Sequence, residues 1–283
     1  MFCRALPGTR LIRPQPRGGP RPRGSVWVST GPHPRPQSNA MFFLGLYLHL
    51  CFSRVLRLRK LRIILLESPL EVVPPEIRDH PQVVRYAKRF DIDPSEAILD
   101  KTYHYYAMAI LPQKWKRGRP DIVHLCLVLL QDSILNMYGH LEVYFHVYDG
   151  RVFHVKPETH IPKHLDRFKG LMAQLLRVER VPPEGEPLIY KVANSLREFV
   201  EKYGKIILLW EHGEPATVEK VVRESLETGL PIGIGMFPRG DFKKSTLRKA
   251  IKRYSLLGGK PLRAWTIVSE LVCTAERILG IEV

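Results

Sequence analysis

The sequence predicts an α/β protein in which crossover helices join the strands of a parallel sheet. In the C-terminal half, short apolar runs alternate with helical segments. A strand at Lys205–Trp210 precedes a helix at Ala216–Thr228 and a second strand at Pro231–Ile234. Helices are then predicted at Asp241–Tyr254 and Ala264–Leu279. Because neighbouring parallel strands need crossovers of this kind, the alternation predicts a parallel sheet.

Between Leu61 and Leu176 the sequence predicts a buried strand, a β-hairpin and four helices. Leu61–Leu66 has the apolar composition of a buried strand. Leu141–Tyr148 and Arg151–Val155 flank the turn dipeptide Asp149-Gly150, which is typical of a β-hairpin. Apolar spacing and end signals predict helices at Asp79–Arg89, Tyr103–Leu111, Asp121–Gln131 and Leu165–Leu176.

The charge of the chain is unevenly distributed. The 283 residues carry a formal net charge of +16 from 44 Lys and Arg against 28 Asp and Glu. Residues 1–60 hold eleven of those cations and no acid, which leaves 33 cations against 28 acids, or +5, for the remainder. An argument for an anionic partner must therefore rest on local clusters rather than on the total.

Residues 1–60 form a basic extension that we expect to be disordered. Residues 1–40 are rich in Arg, Pro and Gly and lack apolar periodicity. Met41–Phe52 is apolar but too short to span a bilayer, and no signal-peptidase site follows it. Disorder and an upstream translated region that the functional protein does not need are favoured over targeting, because the body begins cleanly at Leu61. A membrane anchor is the weaker alternative, and we expect no membrane association.

Cysteine usage and motif searches exclude several classes of protein. The four cysteines are scattered without a CxxC pair, which is typical of a reducing compartment, so we expect a cytoplasmic protein without a metal framework. The sequence contains no Gly-x-Ser-x-Gly, P-loop, kinase or H-E-x-x-H motif and no carboxylate pair with clear roles. A nucleophilic enzyme is not supported.

Glycine-bearing loops follow the predicted strands. Gly233, Gly235 and Gly240 lie within eight residues, but Pro238 excludes the dinucleotide fingerprint G-x-G-x-x-G. On its own this stretch is equally consistent with a plain turn. The carboxyl ends of parallel strands share one edge, so it should meet the loops Trp210–Gly213 and Ser255–Leu262 there. The three loops together predict a ligand site.

Two cationic stretches suggest RNA or phosphate contacts. Arg119 lies beside loop glycine 118, and Pro120 and Asp121 open a helix, so Asp121 could hold Arg119 in one rotamer. His160, Lys163 and Arg167 have a spacing of three to four residues and could share one face. A solvated basic loop and a solvated basic face are the plain alternatives. The same alternative is favoured for the cations of Asp241–Tyr254.

Several motifs in order resemble the EMG/NEP family of ribosome-biogenesis methyltransferases of the SPOUT class. The resemblance covers roughly Leu61 to the C-terminus. It rests on these stretches: Arg119-Pro120-Asp121-Ile122; Pro157-Glu158-Thr159, Ile161-Pro162 and Arg167-Phe168; Gly170-Leu171-Met172 and Gln174-Leu175-Leu176; Gly235, Phe237 and Gly240; Tyr254-Ser255 and Pro261-Leu262.

The resemblance implies a methyltransferase domain at residues 61–283, with an RNA-binding hairpin and helix insertion. It implies a C-terminal trefoil knot, a homodimer, no metal, and transfer from S-adenosylmethionine to N1 of a pseudouridine in small-subunit ribosomal RNA. The implied cofactor residues are Glu211, Gly235, Gly240, Ser255, Leu256, Leu257, Gly258, Pro261 and Leu262. The implied RNA contacts are Arg119, His160, Lys163 and Arg167, with Arg119 and Asp121 in the catalytic role.

Three points stay open at this stage. Asp121 is either an orienting group for Arg119 or the proton acceptor. Family members usually have Arg at the position of His160, so a contact there should be weaker or pH-dependent. A non-catalytic RNA-binding assembly factor that keeps the cofactor fold is the alternative function.

Overall fold

The computed structural model describes residues 60–281, and eight strands in this part of the chain form one sheet. The predictions for residues 1–59, including Met41–Phe52, lie outside the described residues. The strands are β1 (Leu61–Ser68), β2 (Leu141–Val147), β3 (Val152–Val155), β4 (Arg180–Val181), β5 (Ile189–Ala193), β6 (Ile206–Pro215), β7 (Ile232–Gly235) and β8 (Ala250–Ser255).

The strand order is β4-β5-β3-β2-β1-β7-β6-β8. The pairs from β2 through β1, β7 and β6 to β8 are all parallel. The pairs β2–β3, β3–β5 and β4–β5 are antiparallel. The predicted parallel sheet is therefore confirmed, and the predicted hairpin at Asp149-Gly150 begins its antiparallel extension.

Helices cover both faces of this sheet. They are α1 (Pro81–Phe90), α2 (Lys101–His104), α3 (Pro120–Gln131), α4 (Ile134–Met137), α5 (Leu165–Val178), α6 (Leu196–Tyr203), α7 (Val218–Thr228), α8 (Lys244–Leu247) and α9 (Ala264–Leu279). The predicted helices at α1, α3, α5, α7 and α9 are confirmed. The helix predicted at Tyr103–Leu111 is instead divided between α2 and a 3₁₀ turn at Ala107–Ile110. None of the helices between residues 60 and 281 is long and apolar enough to cross a bilayer.

Alternating residues of β1 serve two separate cores. Ile63 and Leu65 are fully buried in the larger core, which also receives α3, α5, α7 and α9. Ile64 and Leu66 are equally buried on the other face, in the core that contains Phe199 of α6. Side chains of a strand point alternately to opposite faces, so a nearly continuous apolar run such as LRIILL belongs between two helical layers.

The helix predicted at Asp241–Tyr254 is wrong. A single helical turn, α8, occupies its middle, and its second half is the edge strand β8. β8 pairs in parallel with β6 from Ile206↔Ala250 to Leu209↔Tyr254. Pairing with an existing sheet edge overrides the helix preference of the Lys, Arg and Leu residues in this segment, because propensity is a weak constraint against tertiary contacts.

Strands β6 and β8 come unusually close where the pairing register shifts. Tyr254 pairs with Leu209 and again with Glu214, so residues between them leave the ladder. Gly213 lies in that segment, and a Cβ added to it would be 2.7 Å from the carbonyl carbon of Arg253 and 2.8 Å from that of Tyr254. Only glycine permits this approach of two backbones.

Gly213→Ala should therefore force β6 and β8 apart. We expect the free energy of unfolding to fall by about 1 to 3 kcal/mol, the usual range for overpacking, because the obstructing atoms are backbone. The control is Gly170→Ala in α5, where an added Cβ meets nothing within 4 Å. Urea denaturation should show the control to be neutral or stabilised by about 0.5 to 1 kcal/mol. Equal stabilities for the two variants would contradict the close crossing.

Candidate functional site

A cavity of about 360 Å³ lies where β7 and β8 end, beside the register shift in the middle of β6. Residues of all three predicted stretches contribute to it, as expected, but Trp210–Gly213 is not a loop, because β6 continues to Pro215. Its wall is formed by Leu209, Trp210, Glu211, Gly235, Phe237, Pro238, Arg239, Gly240, Asp241, Phe242, Tyr254, Leu256, Lys260, Pro261, Leu262 and Ile267. The volume is within the range of small-molecule sites, about 300 to 1,000 Å³.

Glycine is required at two positions of the wall, Gly235 and Gly240, for different physical reasons. A Cβ on Gly235 would lie 2.9 Å from Cζ of Phe242 and 3.1 Å from Cε1 of Phe237, so the absence of a side chain leaves room for both rings. Gly240 has φ +91°, a conformation that L side chains rarely adopt. Gly233 is not on the wall and packs against side chains of β1 and β6.

A hydrogen bond between two wall residues was not predicted. Nε1 of Trp210 donates to Oδ1 of Asp241 at 2.7 Å, and the same oxygen accepts from the Phe242 amide at 2.6 Å. This carboxylate ties the loop after β7 to β6. A tryptophan at the end of one strand and an aspartate just after the glycine loop were visible in the sequence, but only the parallel register shows that they meet.

A buried carboxylate organises the loop after β7. Glu67, near the end of β1, is 6% exposed and accepts from Nζ of Lys116 at 2.8 Å. It also accepts from the Lys243 amide at 2.7 Å and from Oγ1 of Thr246 at 2.8 Å. The Glu67 amide donates to Nδ1 of His146 at 3.2 Å, and burial lowers the pKa of that imidazole to about 4. The imidazole is therefore neutral at pH 7 and can accept this hydrogen bond.

The predicted cofactor residues divide into two groups. Glu211, Gly235, Gly240, Leu256, Pro261 and Leu262 lie on the wall of the cavity. Ser255, Leu257 and Gly258 do not: Ser255 is buried behind it, and Leu257 is 65% exposed on the outside of the loop. A contact through backbone N–H or C=O groups does not require the side chain on the wall. The cofactor contact stays a prediction for all nine residues, and the cavity wall includes six of them.

Arg119 and Asp121 form the pair that the sequence suggested. Nε of Arg119 donates to Oδ1 of Asp121 at 2.7 Å, and Nη2 donates to Oδ2 at 2.6 Å. This bidentate geometry raises the pKa of the guanidinium. Pro120 occupies the first turn of α3 and Asp121 is its acidic residue, as predicted. The guanidinium is one-third exposed and is held in a single orientation.

The two cations just before Gly118, Lys116 and Arg117, are buried in ion pairs with carboxylates. Arg117 is 5% exposed, and its Nε and Nη2 donate to the Glu71 carboxylate at 2.7 and 2.6 Å. Lys116 is 8% exposed and is engaged by Glu67. The plain alternative of a solvated basic loop is therefore wrong for both residues, because acidic partners from the β1 end of the chain bury them.

The row His160, Lys163 and Arg167 is exposed, but it is not one face of a helix. His160 and Lys163 precede α5, and only Arg167 lies within it. Lys163 forms an ion pair with Asp132, which caps the C-terminal end of α3. Arg119 caps the other end of α3, and the segment that carries the row packs against the second turn of this helix, where Nε2 of His124 lies 2.6 Å from the Pro162 carbonyl oxygen. About 7 Å of helix rise therefore separates Arg119 from this contact.

A larger cavity of about 950 Å³ lies between α1, α5 and the hairpin turn. Its cations are already neutralised: Arg117 pairs with Glu71, Arg151 with Asp149, and Lys169 with Asp166. Arg177 pairs with Glu96, so no cation among the described residues of this cavity wall is left unpaired for an anionic ligand. No group of three or more His, Cys, Asp or Glu side chains within residues 60–281 could hold a metal ion.

The smaller cavity, with the glycine-bearing loops after β7 and β8 on its wall, defines an α/β protein with a small-ligand site at the edge of a parallel sheet. The family model for EMG1/NEP1 methyltransferase matches residues 63–276. The chain belongs to this family, which confirms the resemblance described above.

Curated relatives and a solved structure agree with this assignment. The ribosomal RNA small subunit methyltransferase Nep1 of Aeropyrum pernix is 52% identical over 219 residues, covering 77% of this chain and 98% of that protein. The protein of the same name from Staphylothermus marinus is 44% identical over 222 residues, with 77% and 96% coverage. The crystal structure of Archaeoglobus fulgidus Nep1 bound to S-adenosylhomocysteine matches with a TM-score of 0.70 and 34% identity, covering 78% of this chain and 99% of that one.

Lys116→Met should expose the structural role of the buried ion pair. Removing the cation leaves the Glu67 carboxylate buried without its charged partner, and breaking a buried pair in this way costs about 3 to 5 kcal/mol. Urea denaturation should show this loss. Lys114→Met, two residues away and exposed, is the control and should change stability by less than about 0.5 kcal/mol. An unchanged Lys116→Met variant would show that the pair does not hold the loop.

Proposed function

We propose that this protein transfers a methyl group from S-adenosylmethionine to N1 of a pseudouridine in small-subunit ribosomal RNA, and so acts in the biogenesis of the small subunit. It is a methyltransferase by family membership. The observation that carries the proposal is the cavity at the ends of β7 and β8, walled by residues of all three glycine-bearing stretches and close to the loop that leads to Arg119.

The cavity fits the proposed cofactor. Its volume of about 360 Å³ suits a nucleoside-sized ligand. Gly235 leaves room for the Phe237 and Phe242 rings that form part of the wall, and the Ser255 hydroxyl, next to the wall residue Leu256, is buried with no hydrogen-bond partner within the described residues. Glu211, Gly235, Gly240, Leu256, Pro261 and Leu262 would hold the ligand. When bound, S-adenosylmethionine supplies an already activated methyl group, so the protein mainly has to position the acceptor nitrogen in line with it.

Arg119 is the group that we assign to the acceptor base. As N1–H of the base is lost, negative charge develops on the uracil ring, and a guanidinium held in one orientation stabilises that charge without reorganising. Asp121 engages Arg119 through both of its carboxylate oxygens. This supports the orienting role for Asp121 over the role of proton acceptor.

The RNA contacts are spread over the length of α3. The segment with His160, Lys163 and Arg167 packs against the same helix that Arg119 precedes, through the contact between Nε2 of His124 and the Pro162 carbonyl oxygen. We infer that the target base reaches Arg119 from a single-stranded loop, because bases in such loops can be splayed out at little cost. The exposed row then holds the backbone of the adjoining nucleotides.

Three further features of the family are part of this proposal. The first is a homodimer, which sedimentation equilibrium would refute by finding only monomer. The second is a cytoplasmic protein, supported by the free thiols of Cys126 and Cys273 and refuted if cell fractionation finds the chain in membranes. The third is the C-terminal trefoil knot, supported by membership of the EMG1/NEP1 family and refuted by a crystal structure whose chain path is unthreaded.

Arg119→Ala should abolish methylation while cofactor binding survives. Loss of an electrostatic stabiliser of this kind lowers turnover by about 100-fold or more. The measurement is methyl transfer from labelled S-adenosylmethionine to an RNA hairpin with pseudouridine in its loop, and the same hairpin with uridine is the control substrate. Unchanged turnover would rule out the role of Arg119. No transfer by the unmodified protein would favour the alternative of a non-catalytic assembly factor.

Gly235→Val should remove cofactor binding. The new side chain would push into the rings of Phe242 and Phe237, which form part of the wall. Calorimetric titration with S-adenosylmethionine should show at least about a 100-fold loss of affinity, since van der Waals overlap excludes a ligand that fills the cavity. Gly170→Ala is the control and should bind normally. Unaltered affinity in Gly235→Val would place the cofactor elsewhere.

A further inference from the structure

An exposed tryptophan lies against the loop that lines the cavity. Trp115 is 52% exposed, and a Cβ added to Gly240 would lie 3.1 Å from its Nε1 and 3.2 Å from its Cδ1. Gly240 is itself part of the cavity wall. The indole therefore lies beside the cavity and leaves half of its surface open to solvent. Large exposed aromatic side chains of this kind are characteristic of binding surfaces.

The position of the indole is fixed by its neighbours in the chain. Lys116 is buried, with Nζ bonded to the Glu67 carboxylate and the Asp241 carbonyl and 4.2 Å from the centre of the Phe237 ring. Two residues further on, the Gly118 carbonyl accepts from the Lys101 amide at 2.8 Å, which closes residues 101–118 into a loop. Trp115 is thus presented from a rigid support, which is what a pre-organised contact requires.

The loop that carries Trp115 has the composition of a single-stranded nucleic-acid surface. Residues 101–119 contain three Tyr and one Trp and no Asp or Glu. Of their five Lys and Arg, Lys101 and Lys114 are exposed, whereas Lys116 and Arg117 are buried in ion pairs. Tyr105 and Tyr106 are 56% and 70% exposed, and Nζ of Lys101 lies 5.5 Å from the Tyr105 ring. Aromatic rings beside cations bind unpaired bases by stacking and the phosphates by charge.

We propose that Trp115 is a stacking surface for an unpaired nucleobase of the substrate RNA beside the methyl-transfer cavity. This inference rests on the proposed function and adds to it a residue that positions the RNA. The indole stacks on one base of the RNA loop, next to the nucleotide that enters the cavity. Truncation of an aromatic side chain at such a contact weakens RNA binding by roughly 10- to 100-fold.

The test compares Trp115→Ala and Trp115→Phe with the unmodified protein. Fluorescence anisotropy with the pseudouridine hairpin should show the Trp115→Ala loss, whereas Trp115→Phe keeps a ring and should bind within about threefold. In the transfer assay, KM should rise more than kcat falls. Tyr138→Ala is the matched control and should bind RNA normally, because Tyr138 is 63% exposed just before the amino end of β2, whereas the cavity lies at the carboxyl ends of β7 and β8. Thermal melting and cofactor titration check that each variant is folded.

A scan of abasic sites identifies the stacked base. Each loop nucleotide is replaced in turn by an abasic residue, and binding to the unmodified protein and to Trp115→Ala is compared. One position should weaken binding to the unmodified protein but have no further effect on the variant. No such position, or a folded Trp115→Ala variant with unchanged affinity, overturns the inference. Absence of methyl transfer overturns the proposed function alone, because the binding measurements do not depend on it.

Discussion

The buried carboxylate of Glu67 is the constraint on which the candidate site depends. Its backbone is in the left-handed region at φ +51°, which costs a non-glycine residue about 1 to 2 kcal/mol. That conformation brings the carboxylate to Lys116, Lys243 and Thr246. These partners follow Glu67 by 49 to 179 residues. A buried charge must be satisfied by several donors, so this one group fixes where the loop after β7 and the loop before α3 lie relative to β1.

Local pattern predicted most of the fold, and tertiary contact explains where it failed. Leu61–Leu66, the hairpin and the helices α3 and α9 have periodicities that decide their structure without distant information. The segment 241–254 does not, because its cations and scattered apolar residues fit a solvated helix as well as an edge strand. Three successive residues of β8, Ile251 to Arg253, are exposed. The segment therefore lacks the alternation of apolar and polar residues that predicts a strand. Its hydrogen bonds to β6 alone make it a strand.

The site could be located from the sequence but not assembled from it. The three glycine-bearing stretches were predicted to meet because parallel strands share an edge, and they do. The ion pairs Lys116–Glu67 and Arg117–Glu71 could not be predicted, since their partners are 49 and 46 residues apart. The start of the helix at Leu165 was predicted correctly, but the 3–4 spacing of His160, Lys163 and Arg167 did not place them on one helical face, because His160 and Lys163 precede that helix.

Burial divides the cations near the cavity into two sets, and this division explains why the total charge is a poor guide to RNA binding. Lys116 and Arg117 are neutralised inside the protein by carboxylates. Lys101 and Lys114 are exposed in the same loop, alongside Trp115. Lys116 and Arg117 are therefore not available to attract the RNA phosphates at short range. Their ion pairs instead fix the position of the segment that carries the exposed indole, Lys101 and Lys114. Lys116 also contacts the loop that carries Gly240, so one buried side chain holds both the cavity wall and the segment that presents Trp115.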